Sequence, residues 1–160
     1  MSANEQQVGG SHYQSTYQYW DLVLTVGMGY LEGNAGKYIS RWRKKGGAED
    51  LKKALHYVEK LLECSGAAYR LRCKPRGPAW IMSEVERFAK INELGGMETK
   101  VLLYLSLWEH RSSLEYARDY IVKIMASQDV GDEAIHAMSF DHDQDTARAG
   151  SWDYEKEFNR

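Results

Sequence analysis

Apolar residues along this chain recur three and four positions apart, the spacing of a helix that buries one face. Leu51, Leu55, Val58 and Leu62 keep that spacing through "EDLKKALHYVEKLLE". The apolar positions of "EVERFAKINEL", "METKVLLYLSLWEH" and "SSLEYARDYIVKIMA" do the same. No segment shows convincing strand alternation, so the pattern predicts an all-α protein. The interruptions fall at Gly27 and Gly29, at Gly46-Gly47, at Gly95-Gly96, and in "CKPRGPAW", which holds both prolines. A short helix is expected from Trp20 to Val26, with Asp21 supporting its start. A second is expected from Leu31 to Lys45, stopped by Gly46-Gly47 in the usual C-terminal glycine position. A third opens at Glu49 and Asp50, where acids favour the positive end of the helix dipole, and runs through Leu62 toward Leu71. A fourth is expected after Ser83, which stands in capping-box spacing with Glu86. Two more follow Gly95-Gly96.

The two halves of this pattern resemble each other. Glu32, Tyr38, Ser40 and Trp42 have counterparts at the same spacing in Glu98, Tyr104, Ser106 and Trp108. Leu51, Ala54, Tyr57 and Lys60 correspond in the same way to Leu114, Ala117, Tyr120 and Lys123, after a shorter connection. Two tyrosines and a tryptophan at fixed offsets favour an internal duplication over chance. Duplicated helical hairpins would pack as a pseudo-symmetric bundle. Positions that differ mark where one copy does something extra: Asn34 becomes Lys100, Lys37 becomes Leu103, Arg41 becomes Leu107 and Asp50 becomes Ser113. The organisation expected is a mobile arm (1–11), a first helical hairpin carrying the chemistry (12–73), a linker (74–79), a second hairpin with a structural or oligomerising role (80–128), and an irregular acidic tail (129–160).

Charge sharpens the contrast. The net charge of −2 divides unevenly, because residues 129–160 hold nine acids against three basic residues and the rest of the chain is net positive. Residues 37–76 hold twelve Lys or Arg against four acids, which suits an anionic partner. A solvated helix surface is the plainer explanation. A composition 43% hydrophobic and 28% charged is that of an ordinary globular domain, with no apolar run near the roughly 18 residues of a membrane span. The N-terminus lacks a charged-then-apolar signal pattern, so the expected location is the cytoplasm of the cell that makes the protein. Cys64 and Cys73 lack zinc-site spacing and are expected to be reduced.

"EGNAGKYISRWRKKGG" (32–47) contains a Gly-Lys step, but it is not a P-loop. Leu31 stands where the first glycine is required, Tyr38 replaces the magnesium-binding hydroxyl, and no strand precedes it. Read as a helix, it carries Asn34, Lys37, Tyr38, Arg41 and Lys45 on one side. Leu31, Ala35, Ile39 and Trp42 form an apolar stripe, and Gly33, Gly36 and Ser40 a strip of small residues. The glycines imply close approach of another helix or of a ligand. On the next helix Asp50, Lys53, Ala54 and Tyr57 share a side, and antiparallel pairing would bring Asp50 to Arg41 or Lys45. Cations that fork onto phosphate beside tyrosines that stack on a base suit an anion bearing a planar group. "DHDQD" (141–145) starts like a calcium loop, but Thr146 and Trp152 occupy its glycine and closing glutamate positions. Trp152 and Tyr154 are suited to dock onto the body or another subunit.

The combination of "SHY" (11–13), "EGNAGKYISRWRKKGG" and "EDLKKALHYVEKLLE" resembles the SaV-like phage protein family, which includes the T-odd podophage nucleotide kinase, an enzyme without a Walker motif. The resemblance covers about residues 10–64 and leaves the second hairpin and the tail outside. It implies phosphoryl transfer to (deoxy)nucleoside monophosphates in the host cytoplasm. His12, Lys37 and Arg41 would be catalytic. Ser11, Tyr13, Asn34, Tyr38, Lys44, Lys45, Asp50, Lys53 and Tyr57 would hold the nucleotide. No tightly bound cofactor is implied. The donor would be ATP or another nucleoside triphosphate, and with no carboxylate pair for magnesium, any metal would arrive with the nucleotide. The alternatives are a nucleotide-sequestering protein without turnover that counters host defence, a MazG-like pyrophosphohydrolase using Glu32, Glu49 and Asp50, and a nucleic-acid-binding module, which the acidic tail disfavours. A homo-oligomer is expected, since short hairpins often need a partner to bury both faces.

Overall fold

Gln18 caps the first helix, α1 (Tyr19–Val26): its backbone N–H donates to the Asp21 carboxylate at 3.1 Å, half of a capping box. Gly27 closes α1 in the left-handed conformation, φ 69°, and Gly29 caps α2 (Tyr30–Arg41). The turn at 42–46 leads into α3 (Gly47–Glu63). The second half repeats the order with α4 (Pro78–Ile91), α5 (Gly96–Leu107) and α6 (Arg111–Asp129). The computed structural model describes residues 15–66 and 76–129. Among these residues all regular structure is helical, so the protein is an all-α bundle, as the apolar period requires. The "SHY" stretch, the linker up to Pro75 and the acidic tail beyond Asp129 lie outside the described residues.

Two boundaries differ from the sequence pattern. α2 ends at Arg41 rather than Lys45, because the turn closes when the Gly47 N–H donates to the Trp42 carbonyl at 2.8 Å. Lys44 and Lys45 therefore belong to a turn and not to the α2 face. α4 starts at Pro78 and not after Ser83. Proline has no N–H to lose at a first helical position, so the supposed linker end is the helix start. The Ser83 hydroxyl donates back to the Trp80 carbonyl at 2.8 Å from within the helix.

Helix α5 organises the core. Val101 and Leu105 face one cluster with Ala35, Ile39 and Trp42 of α2, Leu51, Ala54, Val58 and Leu61 of α3, and Leu114, Ala117, Ile121 and Ile124 of α6. Leu102 and Leu107 face a second cluster with Leu22 and Val26 of α1 and Ile81, Val85 and Phe88 of α4. A helix that is apolar on both sides is buried between layers. The stripe expected on α2 is thus core. Its small-residue strip serves helix packing: a Cβ on Gly36 would collide with the Tyr19 hydroxyl and lie 2.9 Å from Leu102 Cδ2.

The matched positions of the two halves make exchanged contacts. Trp42 Nε1 donates to Glu98 at 3.0 Å, and Trp108 Nε1 donates to Glu32 at 2.9 Å. Both carboxylates are buried. When residue i of one copy meets residue j of the other, and j meets i, the copies are related by an approximate two-fold axis. Because each bond joins a helix end to a helix start, α2 and α5 run antiparallel. Arg111 at the start of α6 donates to the Leu62 carbonyl near the end of α3 at 2.8 Å. The far end of α6 therefore lies at the end of the bundle where α3 begins, beside the basic turn 42–46.

Candidate functional site

The distinctive chemistry lies on the outer face of α2 and α3. Tyr38 of α2 and Tyr57 of α3 stack with ring centroids 5.9 Å apart and planes 21° apart. Tyr30, at the start of α2, meets Tyr57 edge-on at 6.3 Å. Hydrogen bonding to Tyr30, and then burial, raise the Tyr57 phenol above its ordinary value, so at neutral pH it is a neutral stacking surface and not a base. Three cations surround Tyr38: Arg41 Cζ lies 4.8 Å from its centroid, and Lys37 Nζ and Lys53 Nζ each 5.9 Å. Beside this group an open hollow of about 450 Å³ is lined by Tyr38, Glu49, Lys52, Lys53, His56 and Tyr57.

Helical spacing brings these groups together. Glu49, Lys52, Lys53, His56 and Tyr57 are three and four residues apart on α3, one exposed side of the helix. Lys37, Tyr38 and Arg41 are their neighbours on α2. The expected pairing across the hairpin is present: Arg41 Nε and Nη2 donate to the two Asp50 oxygens at 2.9 and 3.1 Å. Asp50 is only 2% exposed and sits over the turn so closely that a Cβ on Gly46 would fall on its carboxylate. The forked geometry fixes Arg41 as a rigid cation behind the Tyr38 ring. Lys53 Nζ lies 3.4 Å from Glu49 Oε1 in an exposed pair that a stronger anion can exchange.

The remaining expected residues lie elsewhere. Asn34 Nδ2 donates to the Tyr30 carbonyl at 2.8 Å, a local bond along its own helix. Lys44 Nζ reaches the Asn92 carbonyl at 3.3 Å, tying the turn to the connection between α4 and α5. Ala54, expected beside Lys53, is fully buried. Ser11, His12 and Tyr13 lie outside the described residues. Lys52 and His56 escaped the sequence reading because comparison of the halves singled out polar positions that the second copy lost. At these two positions the second copy stays polar but turns acidic, with Glu115 and Asp119. Glu32, Glu49 and Asp50 do not converge. The first is buried against Trp108, the second is exposed and the third is held by Arg41. Among the described residues no three His, Cys, Asp or Glu side chains are grouped to hold a metal ion.

The second half keeps the aromatic frame with different neighbours. Tyr104 stacks on Tyr116 at 5.5 Å and on Tyr120 at 6.0 Å, so Tyr116 fills the place that Lys53 has in the first half. Burial, with the neighbouring tyrosines, pushes the Tyr104 phenol up to about 12. No described helix is long and apolar enough to cross a membrane.

Residues 9–59 are similar to DUF3310, a protein family of unknown function. The matched stretch contains α1, α2 and most of α3, and with them the whole stacked-tyrosine and lysine face. No curated protein and no solved structure matches the chain.

Proposed function

We propose that the α2–α3 face binds a (deoxy)nucleoside monophosphate, and that the protein is a phage nucleoside monophosphate kinase without a Walker motif, acting in the host cytoplasm. The observation that carries this reading is the hollow beside the Tyr38–Tyr57 stack, where Lys52 and Lys53 stand next to two aromatic faces. A base can pack against the exposed side of the tyrosine pair while its phosphate exchanges for Glu49 on Lys53. The resemblance to the SaV-like family supplies the reaction. An oxygen of the acceptor monophosphate attacks the γ-phosphorus of a nucleoside triphosphate. The bond from that phosphorus to the bridging oxygen breaks, and two diphosphates leave. Such transfer consists largely of positioning and charge stabilisation, the tasks that Lys37, Lys53 and the fixed Arg41 suit. His12 would complete the site from the N-terminal arm, and self-association of the chain belongs to the same reading. The test is to incubate each deoxynucleoside monophosphate with ATP and magnesium. Diphosphate formation that falls at least tenfold in Lys37→Ala and Lys53→Ala would support the reading, whereas no diphosphate from any acceptor would sink the kinase.

A second reading, binding without turnover, is supported by the engagement of the Arg41 fork with Asp50. It expects stoichiometric binding and release of unchanged nucleotide, measured by calorimetry followed by chromatography of the released ligand.

A further inference from the structure

We propose that the lysine-rich α2–α3 face has an intramolecular partner, the acidic segment 130–160, with "WDYEKE" (152–157) seated at the hollow. Three observations point there. The first is charge. Lys37, Lys44, Lys45, Lys52 and Lys53 are exposed on this face and its turn, with Glu49 the exposed acid among them. Residues 130–160 hold eight acids against three basic residues. The equivalent face of the second half is less basic: Glu109, Glu115 and Asp119 replace Arg43, Lys52 and His56, and Lys100 and Lys123 are the cations left at its Tyr120 ring. The second is topology. Helix α6 delivers Asp129 to the end of the bundle where the basic turn and the start of α3 lie, so the segment begins beside the face. A random coil of 22 residues, the number from 130 to 151, has a root-mean-square span of about 25 Å, comparable to the length of α3. Tethering over such a span gives an effective concentration in the millimolar range, enough for a weak ionic contact to be well populated. The third is the alternation in "WDYEKE", which sets Trp152 and Tyr154 among Asp153, Glu155 and Glu157. The hollow likewise sets the Tyr38–Tyr57 stack among lysines. Aromatic residues then meet the stack while carboxylates meet the cations. The segment and any anionic ligand compete for one face.

The test is carbodiimide coupling of the full chain, which joins a carboxylate to a lysine in direct contact, followed by peptide mass spectrometry. The proposal expects links from Asp153, Glu155 or Glu157 to Lys37, Lys52 or Lys53. They should be independent of protein concentration and lost in about 1 M salt, where the Debye length shrinks to ~3 Å. Links only between two copies, or links to Lys90, Lys100 and Lys123 as frequent as those to the hollow, would overturn it. A second readout is the acetylation rate of Lys52 and Lys53 relative to Lys90. The full chain carrying Asp153→Asn, Glu155→Gln and Glu157→Gln should raise it several-fold, and an unchanged rate again overturns the proposal. Neither measurement uses a nucleotide, so its outcome is independent of the kinase reading.

Discussion

The crossed Trp–Glu bonds give a quantitative handle on the bundle. Trp42 is 6% exposed and Glu98 1% exposed, so replacing Glu98 with Met strands a buried indole N–H. A hydrogen bond to a charged group contributes about 1.5–3 kcal/mol, and an unmatched buried donor costs a similar amount. Glu98 also receives Arg43 Nε at 2.9 Å, but that guanidinium is 56% exposed and regains water when the carboxylate is removed. The perturbation is therefore a double-mutant cycle of Trp42→Phe and Glu98→Met, in which the loss of Arg43 pairing and the tryptophan volume change cancel. Urea unfolding should report a coupling of about 2 kcal/mol, which is more than tenfold in the unfolding equilibrium. Trp108→Phe with Glu32→Met should give a coupling of the same sign and size. Trp42→Phe with Glu32→Met should be additive within about 0.5 kcal/mol, because ten residues along α2 separate those side chains by roughly 15 Å. Coupling in that third pair as large as in the crossed pairs, or crossed couplings below about 0.5 kcal/mol, would refute the exchanged-contact architecture.

Other substitutions follow from the same packing. Gly33→Ala should raise stability by up to about 1 kcal/mol through helix propensity, since its Cβ would meet Val23 Cγ1 at an ordinary 3.6 Å. Gly36→Ala should lower stability by about 1–3 kcal/mol, because Tyr19 and Leu102 must move, and thermal melts of the two variants separate these signs. Arg41→Ala should cost about 2–3 kcal/mol by leaving the Asp50 carboxylate buried without its fork, and Asp50→Asn should cost less in the same denaturation assay. At high pH the Tyr104 phenol matters. Its folded value of about 12 lies above the ordinary 10, so the stability it contributes is complete below pH 10 and is lost as pH rises from 10 through 12. Tyr104→Phe should flatten that decline in denaturation midpoints measured from pH 9 to 12.

Much of the frame was legible because apolar period and glycine breaks are local signals. The all-α class, the core stripe on α2 and the approach of Asp50 to Arg41 follow from helical spacing alone. The two misplaced boundaries have a common cause. Gly46-Gly47 and Ser83 are residues that suit more than one role, and tertiary contacts choose between them. Gly47 closes a turn that begins five residues earlier, and Pro78 takes the first helical position before Ser83 can act as a cap. The Glu and Trp of each half were visible as matched positions, but their partnership was not. It runs between halves, and sequence gives no distance between α2 and α5. Lys52 and His56 were missed for a different reason: they face outward on α3, where apolar period carries no information, and their counterparts Glu115 and Asp119 are also polar, so comparison of the halves did not single them out.

The relation between the halves bears on how the protein acquires a specific face. Both hairpins present stacked tyrosines on a frame joined by the same buried bonds, so aromatic shape alone does not distinguish them. Charge does. On α3, Lys52, Lys53 and His56 stand where α6 has Glu115, Tyr116 and Asp119, and these are exchanges at solvent-facing positions that leave the core untouched. Inside, the difference is a forked ion pair, Arg41 with Asp50, against Leu107 with Ser113. Replacing a buried ion pair with apolar residues often leaves stability unchanged or higher. The second half forms its hairpin without such a pair, with Leu107 packed into the second cluster instead. Beside Tyr38 the pair holds a positive charge 4.8 Å from the ring centroid and fixes where the Arg41 guanidinium stands. The proposed anion binding therefore rests on a difference in charge between two faces of similar aromatic shape, and exchanging Lys52 and His56 for the Glu and Asp of the second half should abolish it.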